Sequence, residues 1–263
     1  MRRYLPWIAL GLGAYLAFLI SSFPAETALR WFAPQSVRTS NVSGTIWSGT
    51  AQLASVDDFA MRDLRWEIEP LPLLLARLGG AAQARMASGF ADTRFSVSRN
   101  RVRLTDLQLS TTLASLAPVL PVSGASGAMS VQFGALDLER VLADINSQQV
   151  EILWPINANG TIRISDMLVE PYAGLGNQLI PLGSYELEFS ESSPSATTAR
   201  VRDLGGPLEF NGLLRLTPSR EYALEGQVLV RPGASEALTQ GLNFMAEDPG
   251  PDGRRALSLS GSL

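Results

Sequence analysis

Cysteine, histidine and lysine are all missing from this chain of 263 residues, and its 21 basic side chains are arginines throughout. Each absence excludes a chemistry. Without histidine the commonest general base and metal ligand at neutral pH is gone; without cysteine, the readiest thiolate nucleophile and zinc ligand; without lysine, the Schiff base and the P-loop phosphate anchor. Paired carboxylates or a lone activated serine would still serve a hydrolase, so the composition weakens the case for an enzyme without closing it. Charge is scarce too, at 17 % of residues against 46 % hydrophobic, where soluble domains usually carry about 25 %. The chain is a folded, rather apolar protein, and its length suits one large all-β unit or two small domains.

Charge is wholly absent from one long run. After Arg2 and Arg3, the twenty residues from Tyr4 to Phe23 carry none, about the length that spans ~30 Å of hydrocarbon as a helix. A cleaved signal peptide shares the positive start, but Phe23 would fill the outer small-residue position of a cut after Ala25, so an uncleaved anchor is expected. The positive-inside rule keeps Arg2 and Arg3 in the cytoplasm. Residues 1–25 then form the cytoplasmic N-terminus and transmembrane anchor, and residues 26–263 the exported domain. That domain holds 19 arginines against 25 acidic groups, a formal charge of −6, which argues against nucleic acid as a partner. Within the run, Ala9, Gly13, Ala17 and Ser21 recur every fourth residue, a stripe that lets two membrane helices approach closely.

Beyond the run the hydrophobic period drops to two. Phe95 and Val97, Val102 and Leu104, Leu107 and Leu109, and Met129, Val131 and Phe133 alternate with polar residues. So do Ile162 and Ile164, Tyr185, Leu187 and Phe189, Leu208 and Phe210, Leu214 and Leu216, Tyr222 and Leu224, Val228 and Val230, and Leu257 and Leu259. This is the pattern of half-buried antiparallel strands. Turns are expected at Arg99-Asn100, Asn159-Gly160, Gly205-Gly206-Pro207, Asn211-Gly212, Thr217-Pro218-Ser219 and Asp252-Gly253, and a polar loop over 190–198. Four short helices are expected where strands run into apolar segments: Leu71–Leu78, Thr111–Leu116, Leu136–Ile145 and Ala234–Phe244. The fold class is therefore mainly β: an N-terminal transmembrane helix, then a large curved antiparallel sheet with few helices. Its apolar face must be covered by a sandwich, a barrel or an open groove, and the pattern does not choose among them.

Sites of chemistry are weakly marked. Glu67 with Glu69, and Glu186 with Glu188, each share one strand face, which is the expected solvent face of an amphipathic strand. Asp248-Pro249-Gly250-Pro251-Asp252-Gly253 lacks the alternating ligands of a calcium loop and reads as a surface turn. Gly11-Leu12-Gly13 lies inside the apolar run, and no serine sits in a G-x-S-x-G elbow. No catalytic residue, metal site or cofactor site is expected.

The distinctive phrases contain tryptophan and glycine. Ser43-Gly44-Thr45-Ile46-Trp47-Ser48-Gly49 is followed by Leu64-Arg65-Trp66-Glu67-Ile68-Glu69-Pro70; later come Leu182-Gly183-Ser184-Tyr185, Gly205-Gly206-Pro207-Leu208 and a strand through Gly226. Read structurally, such glycines permit bends or close backbone approach, and the tryptophans anchor the first strands or sit near a membrane interface. In order and spacing, with the N-terminal anchor, the set resembles the bacterial type II secretion system protein N family over nearly the whole chain. More distantly it resembles the AsmA-type proteins, whose long curved sheets form an apolar groove. One departure is Leu75-Ala76-Arg77-Leu78, where the family pattern leads us to expect a glycine beside the arginine. The resemblance implies a single-pass inner-membrane protein with a periplasmic domain, acting in protein secretion by binding and assembly with other secretion components. An AsmA-like lipid-binding or lipid-transport role is the alternative.

Overall fold

The computed structural model describes residues 5–33, 37–56, 59–116, 124–145, 148–170, 179–193 and 196–262. Two helices, α1 (Leu5–Ser21) and α2 (Ala25–Phe32), precede the strands β1 (Val37–Gly44), β2 (Ser48–Val56), β3 (Phe59–Glu69), β4 (Leu78–Met86), β5 (Gly89–Val97) and β6 (Arg101–Thr112). The long pair β7 (Ala125–Ile145) and β8 (Gln148–Val169) comes next, then β9 (Ile180–Ser193), β10 (Ala196–Gly205), β11 (Leu208–Leu216) and β12 (Glu221–Val230). A helix, α3 (Glu236–Met245), separates β12 from the last strand, β13 (Arg255–Ser262). All thirteen strands form one sheet in which each pairs only with its neighbours in sequence, so β1 and β13 are its edges and the sheet is open. Among the described residues the strands do not close into a barrel, and the sheet is open.

One face of this meander is apolar. Val131, Phe133, Ala158, Phe189 and Ala199 form one buried cluster, and Tyr185, Val201, Phe210, Val228 and Leu242 a second beside it. The sheet curls over that face. Trp154 on β8 donates its indole N–H to the Thr217 carbonyl in the β11–β12 turn at 2.8 Å, although three strand spacings would separate them by about 14 Å in a flat sheet. Three bulges add to the bend. Asp63, Asp106 and Asp166 sit in the left-handed region at φ 49°, 53° and 52°, each beside a register shift against the neighbouring strand. Aspartate tolerates that conformation because its short side chain can bond locally, and the extra residue increases the twist.

Several expectations are corrected. Leu136–Ile145 is the second half of β7, not a helix: Leu136 and Leu138 pair with Leu104 and Val102 of β6, and Asp137 alternates between them. Asn159-Gly160 and Asn211-Gly212 are interior to β8 and β11 and not turns, because their glycines make room for aromatic rings. A Cβ on Gly160 would stand 2.7 Å from the Phe133 ring, and one on Gly212 2.7 Å from that of Phe210. The expected loop over 190–198 is largely strand, since β9 runs to Ser193 and β10 starts at Ala196. The first two expected helices shrink to 3-10 turns, Leu71–Leu75 and Leu113–Leu116, while the fourth is α3. The α1 helix has 17 residues, a rise of about 25 Å. Among the described residues no helix is long and apolar enough to cross a membrane.

Ala76 closes the 3-10 turn after Pro70 in the left-handed region, at φ 54° and ψ 37°, with its N–H directed at the Leu73 and Pro72 carbonyls. Ala76 is one of the two neighbours of Arg77, beside which a glycine is expected, and its left-handed backbone is one that glycine suits. Replacement Ala76→Gly should raise stability by about 1 kcal/mol, because relief of left-handed strain outweighs glycine's extra freedom when unfolded. The thermal midpoint should rise by about 2–4 °C; a lower midpoint by circular dichroism would refute the strain account.

Candidate functional site

The concave side of β8–β13 is roofed by α3. Ser235 caps this helix, accepting the Leu238 N–H at 3.3 Å, and Glu236 in the first turn suits the positive helix end. Leu238 and Leu242, four residues apart on one stripe, are 7 % and 8 % exposed and press onto the sheet. The neighbouring stripe is small: Ala237 and Gly241 line a cavity of about 550 Å³ between helix and sheet. Ile164 and Met167 of β8, Tyr185 of β9, Phe210 of β11, Val228 of β12 and Leu257 of β13 form its floor. Tyr185 offers no proton to it, because its hydroxyl is directed at the Leu182 and Leu208 carbonyls, at 2.7 and 3.2 Å. Burial, reinforced by the Asp203 charge, pushes that phenol up to about 12. Glu170 is the charged side chain at the rim, and it is exposed.

The tryptophan and glycine phrases are structural joints; of their residues, Leu182, Tyr185 and Leu208 line this cavity, while the glycines and Trp47 and Trp66 do not. Gly44, at φ 94°, lies so close to β2 that a Cβ would stand 2.4 Å from the Ser48 carbonyl; a Cβ on Gly49 would stand 2.4 Å from the ring of Trp66. Trp66 donates its indole N–H to the Ile46 carbonyl at 3.2 Å, and Trp47 donates to the Ile20 carbonyl at the end of α1 at 2.8 Å. With the Ile46 N–H on the Phe23 carbonyl, Trp47 ties α1 to the first hairpin. Pro70 starts the 3-10 turn that leads into β4. Gly205 and Gly206 lie at φ 131° and 133°, and a Cβ on Gly206 would stand 2.4 Å from Gly183. Pro207 accepts the Arg231 N–H at 2.8 Å, while the Arg231 guanidinium holds the Gly206 carbonyl at 2.9 Å and Asp203 at 2.7 Å. The pattern did not single out Arg231. Gly226 pairs with Gly212 under the Phe210 ring. Of the stripe on α1, Gly13 has nothing within 4 Å of where a Cβ would stand, and Ser21 donates to the Phe18 carbonyl at 2.9 Å; the side chains of Ala9 and Ala17 lie outside the description.

A family model described as Type II secretion system (T2SS), protein N matches residues 35–258, from the first hairpin to the last strand. The chain belongs to the type II secretion system protein N family. A curated relative, the type II secretion system protein N of Aeromonas hydrophila, is 25 % identical over 259 residues, which is 97 % of each chain. No solved structure matches. The joints at Gly44–Trp66 and Gly205–Pro207 thus lie within the family match, and α1 lies before it.

On the convex face of this family member, arginines and carboxylates alternate across the strands. Arg103, Asp137 and Asn157 link β6, β7 and β8, with the Arg103 Nε–H donated to Asp137 at 2.5 Å. Arg163 of β8 and Arg202 of β10 both close on Glu186 of β9. Glu186 is consequently 4 % exposed, which corrects its reading as a solvent-facing carboxylate; Glu67 and Glu69 do face solvent. The two guanidinium groups, Arg163 first, hold the Glu186 carboxyl below its ordinary value of 4.5. Among the described residues no group of three or more Asp or Glu side chains is placed to hold a metal ion.

The variant Glu186→Gln should cost about 2 kcal/mol, the order of a lost charge-assisted hydrogen bond. A native pKa below the unfolded one stabilises the fold at pH values above the unfolded pKa. The gap between wild type and variant in urea melts should therefore be full at neutral pH and shrink as the pH falls below about 4.5 through the depressed native value. A gap that grows with acid would contradict the assignment.

Proposed function

We propose that this chain is an accessory inner-membrane component of the type II secretion machinery that works by binding and assembly. In this reading the uncharged run Tyr4–Phe23 is the single anchor, Arg2 and Arg3 remain in the cytoplasm, and residues 26–263 stand in the periplasm. Family membership supports the secretion role. The anchor is supported by the lack of charge and by the exposure of Trp7, Leu10, Leu12, Tyr15, Phe18, Leu19 and Ile20 on α1. The stripe Ala9, Gly13, Ala17 and Ser21 would pack on other membrane helices of the machinery.

The observation that carries the assembly reading is the edge strand β13, whose outer side pairs with nothing among the described residues. β13 pairs with β12 in unbroken register from Arg255↔Val228 to Ser262↔Glu221, without a bulge. Its interior contains neither proline nor charge, the devices that usually blunt an edge strand. An extended segment of another secretion component adding to β13 would be bound by main-chain hydrogen bonds and selected by the alternate side chains.

Deletion of the gene should leave folded exoproteins in the periplasm, measured by fractionation and enzyme assay. The double substitution Ser258→Lys with Ser260→Lys, at exposed positions of β13, should reproduce that block with the protein still present at normal level. Unchanged export in the deletion strain would defeat the secretion role, and unchanged export in the lysine variant would defeat edge pairing.

A further inference from the structure

We propose that the 3-10 turn Leu71–Leu75 inserts into the surface of the same bilayer that α1 enters, so that the sheet is attached to the membrane at a second point beside its helical anchor. The inference rests on the reading of Tyr4–Phe23 as that anchor. Its occupant is the bilayer surface: the contact is made by the outside of a turn, no lipid leaves the membrane, and the concave face takes no part.

The turn is built to hold leucine outward. Pro70 opens it and Pro72 follows two residues later, and their fixed φ angles stiffen it. The Pro72 ring packs down on β4, where a Cβ on Gly79 would stand 3.2 Å from it. With Pro72 committed to the sheet, its neighbours Leu71 and Leu73 face away and are 75 % and 41 % exposed. Among the described residues no other large apolar side chain is as exposed as Leu71, those of α1 included. Between Glu69 and Arg77 the chain carries no charge, so the whole turn can leave water without burying an ion. Its stiffness means that little freedom is lost when it does.

Position then selects the bilayer. β2 and β3 are paired, with Ser48 opposite Glu67, so the β1–β2 turn and the turn after Pro70 emerge side by side from one end of the sheet. The Ile68 N–H is donated to the Trp47 carbonyl at 2.6 Å, and the Trp47 indole to the Ile20 carbonyl at 2.8 Å. Leu71 follows Ile68 by three residues, a reach of at most about 10 Å. The helix α1 leaves from this end without lying on the sheet, since its large apolar side chains from Trp7 to Ile20 are exposed. At its base stand Phe23 and Trp31, with ring centroids 6.0 Å apart and Trp31 exposed, as in the aromatic belt of a membrane interface. A bilayer that holds α1 up to Ile20 therefore reaches the turn. Arg77, exposed just beyond it, comes to the level of the lipid phosphates. A protein partner covering Leu71 would have to displace lipid from beside α1.

Because the chain has no cysteine, a single introduced thiol can carry an environment-sensitive dye without background. The full chain is reconstituted in vesicles of phosphatidylethanolamine and phosphatidylglycerol, with brominated phosphatidylcholine as the quencher. A dye at Leu71→Cys should shift to the blue and be quenched to at least about half the extent of one at Leu12→Cys in α1, while a dye at Ser258→Cys on β13 should stay unquenched. Adding Leu73→Asp should abolish the quenching at Leu71→Cys and leave that at Leu12→Cys as it was. An unquenched Leu71→Cys beside a quenched Leu12→Cys would overturn the insertion and leave the anchor standing, the result expected if a protein partner covers the turn. An unquenched Leu12→Cys would overturn the anchor, and the inference with it. Quenching at Leu71→Cys that survives Leu73→Asp, or that is matched at Ser258→Cys, would also overturn the insertion. Should the Leu73→Asp protein fail to fold by circular dichroism, the comparison of Leu71→Cys with Ser258→Cys decides.

Discussion

The whole structure answers to one constraint: a meander sheet with a single apolar face and, among the described residues, almost nothing else to cover it. Sandwiches solve this by stacking a second sheet and barrels by closing. Here thirteen strands stay in one open layer, and cover comes from curl, rings and one helix. Asp63, Asp106 and Asp166 bend the strands from within. Trp66, Phe133, Phe210 and Tyr222 lie over glycines of the same or the next strands, at Gly49, Gly160, Gly212 and Gly226, and Gly261. Each such pair lets a large ring lie flat on the backbone, so the concave side is lined without a second layer. The α3 helix supplies what the rings do not reach.

Much of this was legible in the amino-acid sequence because period-two alternation reports the face of a strand directly. Every alternating segment that was picked out lies in a strand, from Phe95 on β5 to Leu259 on β13. The failures share a cause, in that a local pattern was read without its cross-strand neighbour. Leu136–Ile145 looked helical as an apolar run, yet it is held as strand by partners on β6 and β8. Gly160 and Gly212 looked like turn residues until the facing rings explained them. Glu186 looked solvated because Arg163 and Arg202, 23 and 16 residues away in sequence, are what cover it. The three aspartate bulges could have been found, since an aspartate that breaks strict alternation inside a strand is a bulge signal. A glycine is expected beside Arg77 without a choice between Ala76 and Leu78, and the left-handed backbone of Ala76 is the one of the two that glycine suits.

The candidate site was less legible than the fold. The tryptophan and glycine phrases point to the family, and in this chain they fix the joints of the meander. Of their residues Leu182, Tyr185 and Leu208 line the cavity, and the rest of it is made mostly of residues common to any β core: isoleucine, leucine, valine and phenylalanine. A cavity arises from what is left out, and Gly241 in α3 is the residue whose omission can be read in the sequence. The exclusive use of arginine fits the convex face. Arg103, Arg163 and Arg202 each offer Nε–H and Nη–H groups to a single carboxylate, a fork that lysine could not make.

An open sheet also has two ends, and they are dressed differently. At β1, α2 packs alongside, Pro24 bridges to Thr45, and Trp47 holds the last turn of α1. That edge is occupied by the chain's own N-terminal helices. At β13 nothing among the described residues pairs with the outer side of the strand. The strand order ends at β1 and β13 without pairing one to the other. Keeping the sheet open therefore preserves two features at once: an apolar hollow beneath a helix, and a row of backbone donors and acceptors at the end farthest along the strand order from the N-terminal helices. Closing the meander would pair that row and remove the edge, which ties an edge-binding role of this chain to the same constraint that shapes its fold.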